Sequence, residues 1–286
     1  MRLEDYPKEP RYTATVLKTE PITEEGAEVE VRELVMEVGK PGFSFEVGQS
    51  IGVLVEGEPA FGKPLHHRLY TVADTPETQP DDKPEITIVV RRCSYIDEYS
   101  GEEYIGVNSN FLCDRKPGDE VTITGPFGIP WTVPKDKHAN LVLIGMGTGI
   151  APFRAFVKHI HRNVPEWRGK IWLLMGAQSG LELLYMNKQR DDFANYYDED
   201  TFEAFKALSP RPEWADPIAW DYAIEDRAEE IAELLGQEST YVYVAGQKRI
   251  RDSLDALFGA LTGSADAWEQ KKAGLIAEDR WVELIY

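Results

Sequence analysis

With 286 residues, 42% hydrophobic and 28% charged, the chain is long enough for two hydrophobic cores. Its 50 acidic residues outnumber 31 basic ones, and the resulting net charge of −19 repels nucleic acid and anionic membrane surfaces. Two cysteines, Cys93 and Cys113, are too few for a disulfide framework, a four-cysteine zinc site or an iron–sulfur cluster, so redox chemistry here calls for an organic cofactor.

No apolar run approaches the length of a membrane span, and the strongest, around Leu141 to Ile144, ends in glycines. The N-terminal residues are charged and acidic, unlike a secretion signal or a transit peptide, and the expected compartment is the cytoplasm.

In chain order, the first ~135 residues alternate as β-strands do. The alternation covers Tyr12 to Leu17, Val29 to Val38, Ile51 to Val55, Arg68 to Ala73, Ile86 to Arg92 and Val121 to Thr124. Turn signals separate them at Gly39-Lys40-Pro41-Gly42, Pro80-Asp81-Asp82 and Lys116-Pro117-Gly118-Asp119, and a short helix is predicted near Ser109 to Arg115. Short strands with regular punctuation suggest a closed antiparallel barrel.

After Pro134-Lys135-Asp136-Lys137 the pattern changes. Leu141 to Ile144 is an apolar strand, followed by a helix carrying Phe153, Phe156, Val157 and Ile160. Ile171 to Met175 is a second strand, with a helical stretch expected after Gly180. Asp198 to Trp220, rich in Pro, Trp and acids, reads as a long irregular segment. Tyr241 to Val244 then precedes a helix with Leu254, Leu257, Phe258 and Leu261 at helical spacing. Strands alternating with helices predict a parallel sheet that binds ligands at the carboxyl ends of its strands.

The chemistry concentrates at those ends. Gly145-Met146-Gly147-Thr148-Gly149-Ile150-Ala151-Pro152 follows an apolar strand and opens a helix, a setting in which glycines admit a ligand to the backbone and a helix N-terminus favours anions. Its spacing is G-x-G-x-G, with Ile150 where the dinucleotide fingerprint has its third glycine. Met175-Gly176-Ala177-Gln178-Ser179-Gly180 and Val244-Ala245-Gly246-Gln247-Lys248 are two further small-residue strand ends, and together the three predict a nucleotide-binding edge. In the first half, Arg68-Leu69-Tyr70-Thr71 puts a permanent cation, an aromatic ring and a hydroxyl on one strand. Arg68 and Tyr70 share one face there, and Leu69 and Thr71 the other. An arginine can clamp a pyrophosphate and a tyrosine can cover a flat ring.

Taken in order, these motifs resemble the plant-type ferredoxin–NADP reductase family. The resemblance is carried by Arg68-Leu69-Tyr70-Thr71, Gly106-Val107-Asn108-Ser109-Asn110-Phe111-Leu112-Cys113-Asp114, Lys116-Pro117-Gly118-Asp119 with Gly125-Pro126, and Gly145 to Phe153. Leu183-Leu184-Tyr185, Tyr243-Val244-Ala245-Gly246 and the terminal aromatic Tyr286 complete it. It implies an FAD-binding β-barrel over residues 1–137 and an NADP(H)-binding α/β domain over 138–286. Arg68 would meet the FAD pyrophosphate, Tyr70 would cover one flavin face, and Thr71, with Leu69 beside it, would reach the flavin edge. Gly106, Val107, Asn108 and Ser109 would line the phosphates, Tyr95 would stack on the adenine, and Arg91 would meet the nucleotide. Gly147, Thr148, Gly149 and Gly246 would hold NADP(H), with Ser209, Arg211 and Tyr222 at its 2′-phosphate. Tyr286 would cover the second flavin face, and Thr71, Glu283 and Tyr286 would serve catalysis.

The resemblance also implies the activity. A flavin takes a hydride as two electrons and releases single electrons, and so joins NADP(H) to a one-electron carrier, ferredoxin or flavodoxin. A dedicated NAD(P)H reductase serving an oxygenase component or redox complex is the alternative, and a non-catalytic flavin-binding protein is a third reading. Neither a metal nor a nucleophilic Ser or Cys is called for.

Several positions depart from the family pattern. Ala245 replaces its Cys, and Thr71 its Ser. Glu283 lies three residues before the end rather than two, and a one-residue slip turns a strand side chain to the opposite face. Pro210 separates Ser209 from Arg211, and Trp220 stands where a second basic residue would be. Charge complementarity at Arg211 favours NADP(H), with NAD(H) the alternative.

Overall fold

The computed structural model describes residues 3–57, 64–78, 83–96, 99, 101–128, 132–198, 200–211, 214, 216–225 and 227–285; of 221, 222 and 225 only the backbone is described. The chain divides into two compact units. The first comprises Met1–Thr23, Glu28–Thr132 and Arg154–Phe156, and the second Glu24–Ala27, Val133–Phe153 and Val157–Tyr286.

Strands β1 (Arg11–Pro21), β2 (Val31–Val38), β3 (Ser50–Glu56), β4 (Leu65–Thr71), β5 (Glu77–Thr78), β6 (Pro84–Arg91) and β9 (Glu120–Phe127) build the first unit. A separate ribbon pairs β7 (Ser94–Ile96) with β8 (Glu103–Ile105). The seven-stranded sheet runs β4-β3-β9-β1-β2-β6-β5 with antiparallel neighbours. An antiparallel bridge from Val72, just past β4, to Ile88 of β6 brings its ends together, the barrel that the alternation predicts. Leu34, Met36 and Val38 of β2 recur at every second residue and meet Ile51, Val53, Ile86, Ile88, Val121 and Ile123 in one core. The register of β1 on β2 shifts between Val16 and Lys18, a bulge that leaves the intervening Leu17 exposed. Helix α1 (Val107–Cys113) begins two residues before the helix read from the sequence and buries Leu112 and Cys113 against this core.

In the second unit, β10 (Asn140–Met146), β11 (Ile171–Ala177), β12 (Phe202–Leu208), β13 (Thr240–Gly246) and β14 (Trp281–Ile285) form a parallel sheet in the order β12-β11-β10-β13-β14. Helix α2 (Ile150–Asn163) follows β10; α3 (Trp220–Glu225) and α4 (Ala228–Gly236) precede β13, and α5 (Lys248–Leu261) and α6 (Ala265–Ala277) precede β14. Every residue of β10 and β11 is buried, which is why these strands read as continuous apolar runs rather than alternating ones. Ile224, Leu234, Leu254, Phe258, Trp268 and Leu275 of α3 to α6 cover one face of the sheet through Val142, Ile144, Val242 and Val244.

Two expectations are corrected here. After Gly180 there are only short 3-10 turns, Gly180–Glu182 and Phe193–Tyr196, in place of the expected helix. Leu183, Leu184, Tyr185 and Met186 are all buried, and Tyr185 takes φ 60°, a left-handed conformation that a continuous right-handed helix excludes. Within Asp198 to Trp220, read as irregular, lies the strand β12. Its ladder from Ile171↔Phe202 to Ala177↔Leu208 is imposed by β11, and as an edge strand it is only partly buried and carries no apolar run.

Candidate functional site

In the barrel the site is built on β4 and α1. Tyr70 packs on the barrel core alongside Tyr12 and Phe111, and burial pushes its phenol well above the usual tyrosine range. Arg68 is exposed; its Nη1 donates to the carbonyl of His67 at 2.9 Å, and it has no carboxylate partner among the described residues. Leu69 pairs with Gly52, and Thr71 with Ser50, their hydroxyl oxygens 3.1 Å apart. Arg91 ends β6 opposite Val31.

His67 went unnoticed in the sequence, yet it fixes β4 in place. Its Nε2 lies 3.1 Å from Thr124 Oγ1 of β9, reaching across β3 at Gly52, where an added Cβ would stand only 2.1 Å from that nitrogen. Burial holds the imidazole pKa below its ordinary value of 6.5 and so favours the neutral ring.

The entry to α1 is tied down from several sides. Gly106 N–H donates to Cys93 O at 2.8 Å, Ser109 Oγ donates to Gly106 O at 3.2 Å, and Cys93 N–H donates to Ser109 Oγ at 3.2 Å. Asn108 Nδ2 donates to Val53 O at 3.0 Å and to His66 O at 3.4 Å, joining α1 to β3 and β4. With the side chains of Asn108 and Ser109 engaged in holding the turn, an anion here would be met by the first-turn N–H groups of Val107, Asn108 and Ser109, which lack intrahelical acceptors. Asn108→Ala is therefore expected to cost about 1–3 kcal/mol and to weaken flavin retention several-fold, as measured by reconstitution of apoprotein with FAD. Unchanged retention would remove Asn108 from the site.

Tyr95 is 61% exposed and stacks on Tyr104 across the ribbon, ring centroids 5.5 Å apart and planes 19° apart. Tyr104 could be found only once the register Tyr95↔Tyr104 was known. A guanidinium without an acid partner among the described residues, a helix entry rich in free N–H groups and an exposed aromatic stack are the donor set that a pyrophosphate-linked adenine cofactor needs. The barrel residues fit FAD.

In the second unit the strand order reverses between β10 and β13, since β11 and β12 lie to one side of β10 and β13 and β14 to the other. Ligands of open parallel sheets bind at such a switch point, beyond the carboxyl ends of the strands. There β10 ends in the turn Gly147–Gly149, which enters α2 at Ile150, and β13 ends in Ala245 and Gly246. At Gly149 an added Cβ would lie 2.3 Å from the carbonyl oxygen of Ala245, so only glycine lets this turn pass the end of β13.

Ser209 and Arg211 follow the carboxyl end of β12, both turned toward Asp216. Ser209 Oγ donates to Asp216 O at 2.8 Å, and Arg211 Nε donates to Asp216 Oδ2 at 2.7 Å. Tyr222 is in α3, its side chain outside the described residues, and Tyr286 lies outside them altogether.

Glu283, expected at the reaction centre, makes other contacts. It pairs with Val244 across the sheet, and its carboxylate is held by Lys272 Nζ at 2.7 Å, by Trp281 Nε1 at 2.8 Å and by Arg251. Lys272 and Arg251 come from α6 and α5, which pack with the other helices on one face of the sheet. The physical reason is the strand period: the acid shares a face with Trp281, whose ring is in that core. These contacts tie Glu283 to α5 and α6.

A barrel unit with the donor set for FAD and, in the same chain, a parallel-sheet unit with a glycine turn at its switch point define a flavin- and pyridine-nucleotide-dependent oxidoreductase. The family model "Oxidoreductase NAD-binding domain" matches residues 143–255. The chain is 32% identical over 289 residues to a ferredoxin–NADP reductase of Picosynechococcus sp., covering 98% of this chain and 71% of that protein. It is 34% identical to leaf isozyme 1 of the chloroplastic ferredoxin–NADP reductase of Arabidopsis thaliana, covering 98% and 78%. Its fold matches that of the ferredoxin–NADP+ reductase from Plasmodium falciparum with a TM-score of 0.71 at 20% identity, covering 99% and 98%. The chain belongs to the ferredoxin–NADP reductase family and is an FAD-dependent oxidoreductase that uses NADP(H). No helix among the described residues is long and apolar enough to cross a membrane.

Proposed function

We propose that this chain exchanges electrons between NADP(H) and ferredoxin, with flavodoxin as a second carrier of the same kind. The observation that carries the reading is the glycine turn at the β10/β13 switch point, in a chain whose barrel keeps Arg68 without an acid partner among the described residues. FAD supplies the conversion of a hydride into single electrons. The protein's own part is to bind and orient. Arg68 and the α1 entry hold the phosphates, the Tyr95–Tyr104 stack receives the adenine, and Tyr70 with Thr71 lies along the flavin. Gly147, Thr148, Gly149 and Gly246 receive the dinucleotide at the sheet edge.

The carrier must dock against a net charge of −19, so its contact rests on local cations. Arg92 and Arg115 are committed internally, to Glu30 and Asp114 and to Asp119, and Arg68 to the FAD phosphates, which makes Arg91 and the exposed Lys116 the stronger candidates.

Anaerobic mixing of the holoprotein with NADPH and, separately, NADH tests the reading. Bleaching of the flavin band by NADPH within the mixing experiment is the expected result. A flavin that neither nucleotide reduces would overturn it and leave a binding protein.

A further inference from the structure

The geometry points to Asp216 as a selectivity residue: its carboxylate acts as an internal counter-ion that competes with a nucleotide 2′-phosphate for Arg211. This rests on the reading that Ser209 and Arg211 meet the 2′ end of the bound nucleotide. Both residues are already engaged by Asp216, one by its side chain and one by its backbone. The Arg211 Nε–Asp216 Oδ2 distance is 2.7 Å, and the guanidinium also lies over the Trp214 ring, 5.1 Å from its centroid. The Asp216 backbone is anchored, because its carbonyl accepts from Ser209 Oγ at 2.8 Å and from Gln178 Nε2, beyond the end of β11, at 3.0 Å. Asp216 is the less accessible partner, with a side chain 25% exposed against 63% for Arg211.

These facts favour competition over support. An ion pair with so exposed an arginine is weak, so an incoming phosphate can take the guanidinium. The carboxylate left behind is carried by an anchored backbone, and the two negative groups would then stand close together. A nucleotide with a free 2′-hydroxyl incurs no such cost, since the hydroxyl can donate to a carboxylate, the arrangement NAD-binding sheets use. Asp216 therefore narrows the margin by which the phosphorylated nucleotide is preferred.

The test uses the holoprotein and two probes, 2′-phospho-AMP and AMP, titrated calorimetrically against wild type, Asp216→Asn and Arg211→Ala. The anchoring bonds go to the backbone carbonyl, so Asp216→Asn leaves them in place, and Asp216→Ser serves as a second variant. Both Asp216 variants are expected to bind 2′-phospho-AMP about tenfold more tightly and AMP no more tightly than wild type, and the NADPH/NADH ratio of kcat/KM should rise in parallel. Arg211→Ala should bring 2′-phospho-AMP down to the affinity of AMP. If Arg211→Ala does so while the Asp216 variants bind 2′-phospho-AMP no better than wild type, the binding site stands and the role of Asp216 is wrong. If Arg211→Ala leaves 2′-phospho-AMP unaffected, the phosphate binds elsewhere and both readings fall.

Discussion

Gly149→Ala is expected to loosen the parallel-sheet unit while the barrel stays folded and keeps its flavin. The added Cβ would stand 2.3 Å from the carbonyl oxygen of Ala245 and 2.7 Å from its carbonyl carbon. These are backbone atoms that no rotamer change can move, so either the turn or the end of β13 must shift. Overpacking of this kind costs roughly 1–3 kcal/mol, and the upper end applies where backbone meets backbone. Because the protein has two units, a single melting temperature is a poor measure, and amide hydrogen exchange is the better one. Protection should fall in β10 and β13 and hold in β1 and β2, and flavin reduction by NADPH should slow at least tenfold. Gly147→Ala is the control. A Cβ there meets nothing within 4 Å, although φ is +56°, so only a backbone penalty of about 1 kcal/mol is expected. Equal losses of amide protection in β10 and β13 from the two substitutions would refute the close-approach argument.

Glu283→Gln is expected to destabilise the same unit by about 2–4 kcal/mol, since it breaks an ion cluster whose central members are largely buried. The Glu283 and Lys272 side chains are 12% and 13% exposed, and Lys272 also reaches Asp255 at 2.8 Å. Beneath them Phe258, Trp268 and Trp281 pack ring on ring, with centroids 4.7 to 5.8 Å apart, and Trp268 Nε1 donates to Asp255 Oδ1 at 2.8 Å. Burial would raise the Glu283 pKa, but hydrogen bonds from Lys272, Trp281 and Arg251 outweigh it and hold the carboxyl below its ordinary value of 4.5. A carboxylate lowered in the folded state contributes stability that is full above its unfolded pKa and is lost as pH falls through the folded one. Wild type should therefore lose stability below about pH 4.5, and the Gln variant, already without that contribution, should show a shallower acid limb in urea unfolding followed from pH 3 to 7. Identical acid limbs would mean that the cluster contributes nothing. The rate of flavin reduction by NADPH is expected to change little as long as the unit is folded, and a loss as large as that of Gly149→Ala would return Glu283 to the reaction.

Much of this architecture was legible from residue patterns. Leu34, Met36 and Val38 alternate because one face of β2 lines the barrel core, and that period survives in the sequence whatever the partner strand. Leu141 to Ile144 reads as a buried strand because every residue of β10, on both faces of the parallel sheet, is removed from solvent. The glycines at 145, 147 and 149 announce a turn that the backbone can make in few other ways. The barrel, the parallel sheet and the glycine turn at the end of β10 were therefore determined by the sequence alone.

What only the tertiary structure decided depends on partners distant in the chain. Strand β12 exists because β11 offers it a ladder, and its own residues give no apolar run. Tyr104 joins the site because a ribbon sets it against Tyr95, and His67 because a glycine in β3 lets it reach Thr124. Glu283 and Asp216 show the same limit in the chemistry. A carboxylate in sequence carries only a charge, and its role follows from which cations the fold brings to it: the largely buried Lys272 and the half-exposed Arg251 for one, Arg211 at an exposed sheet edge for the other. Local periodicity is written into consecutive residues, whereas charge pairing is a property of through-space distance, which no stretch of sequence contains.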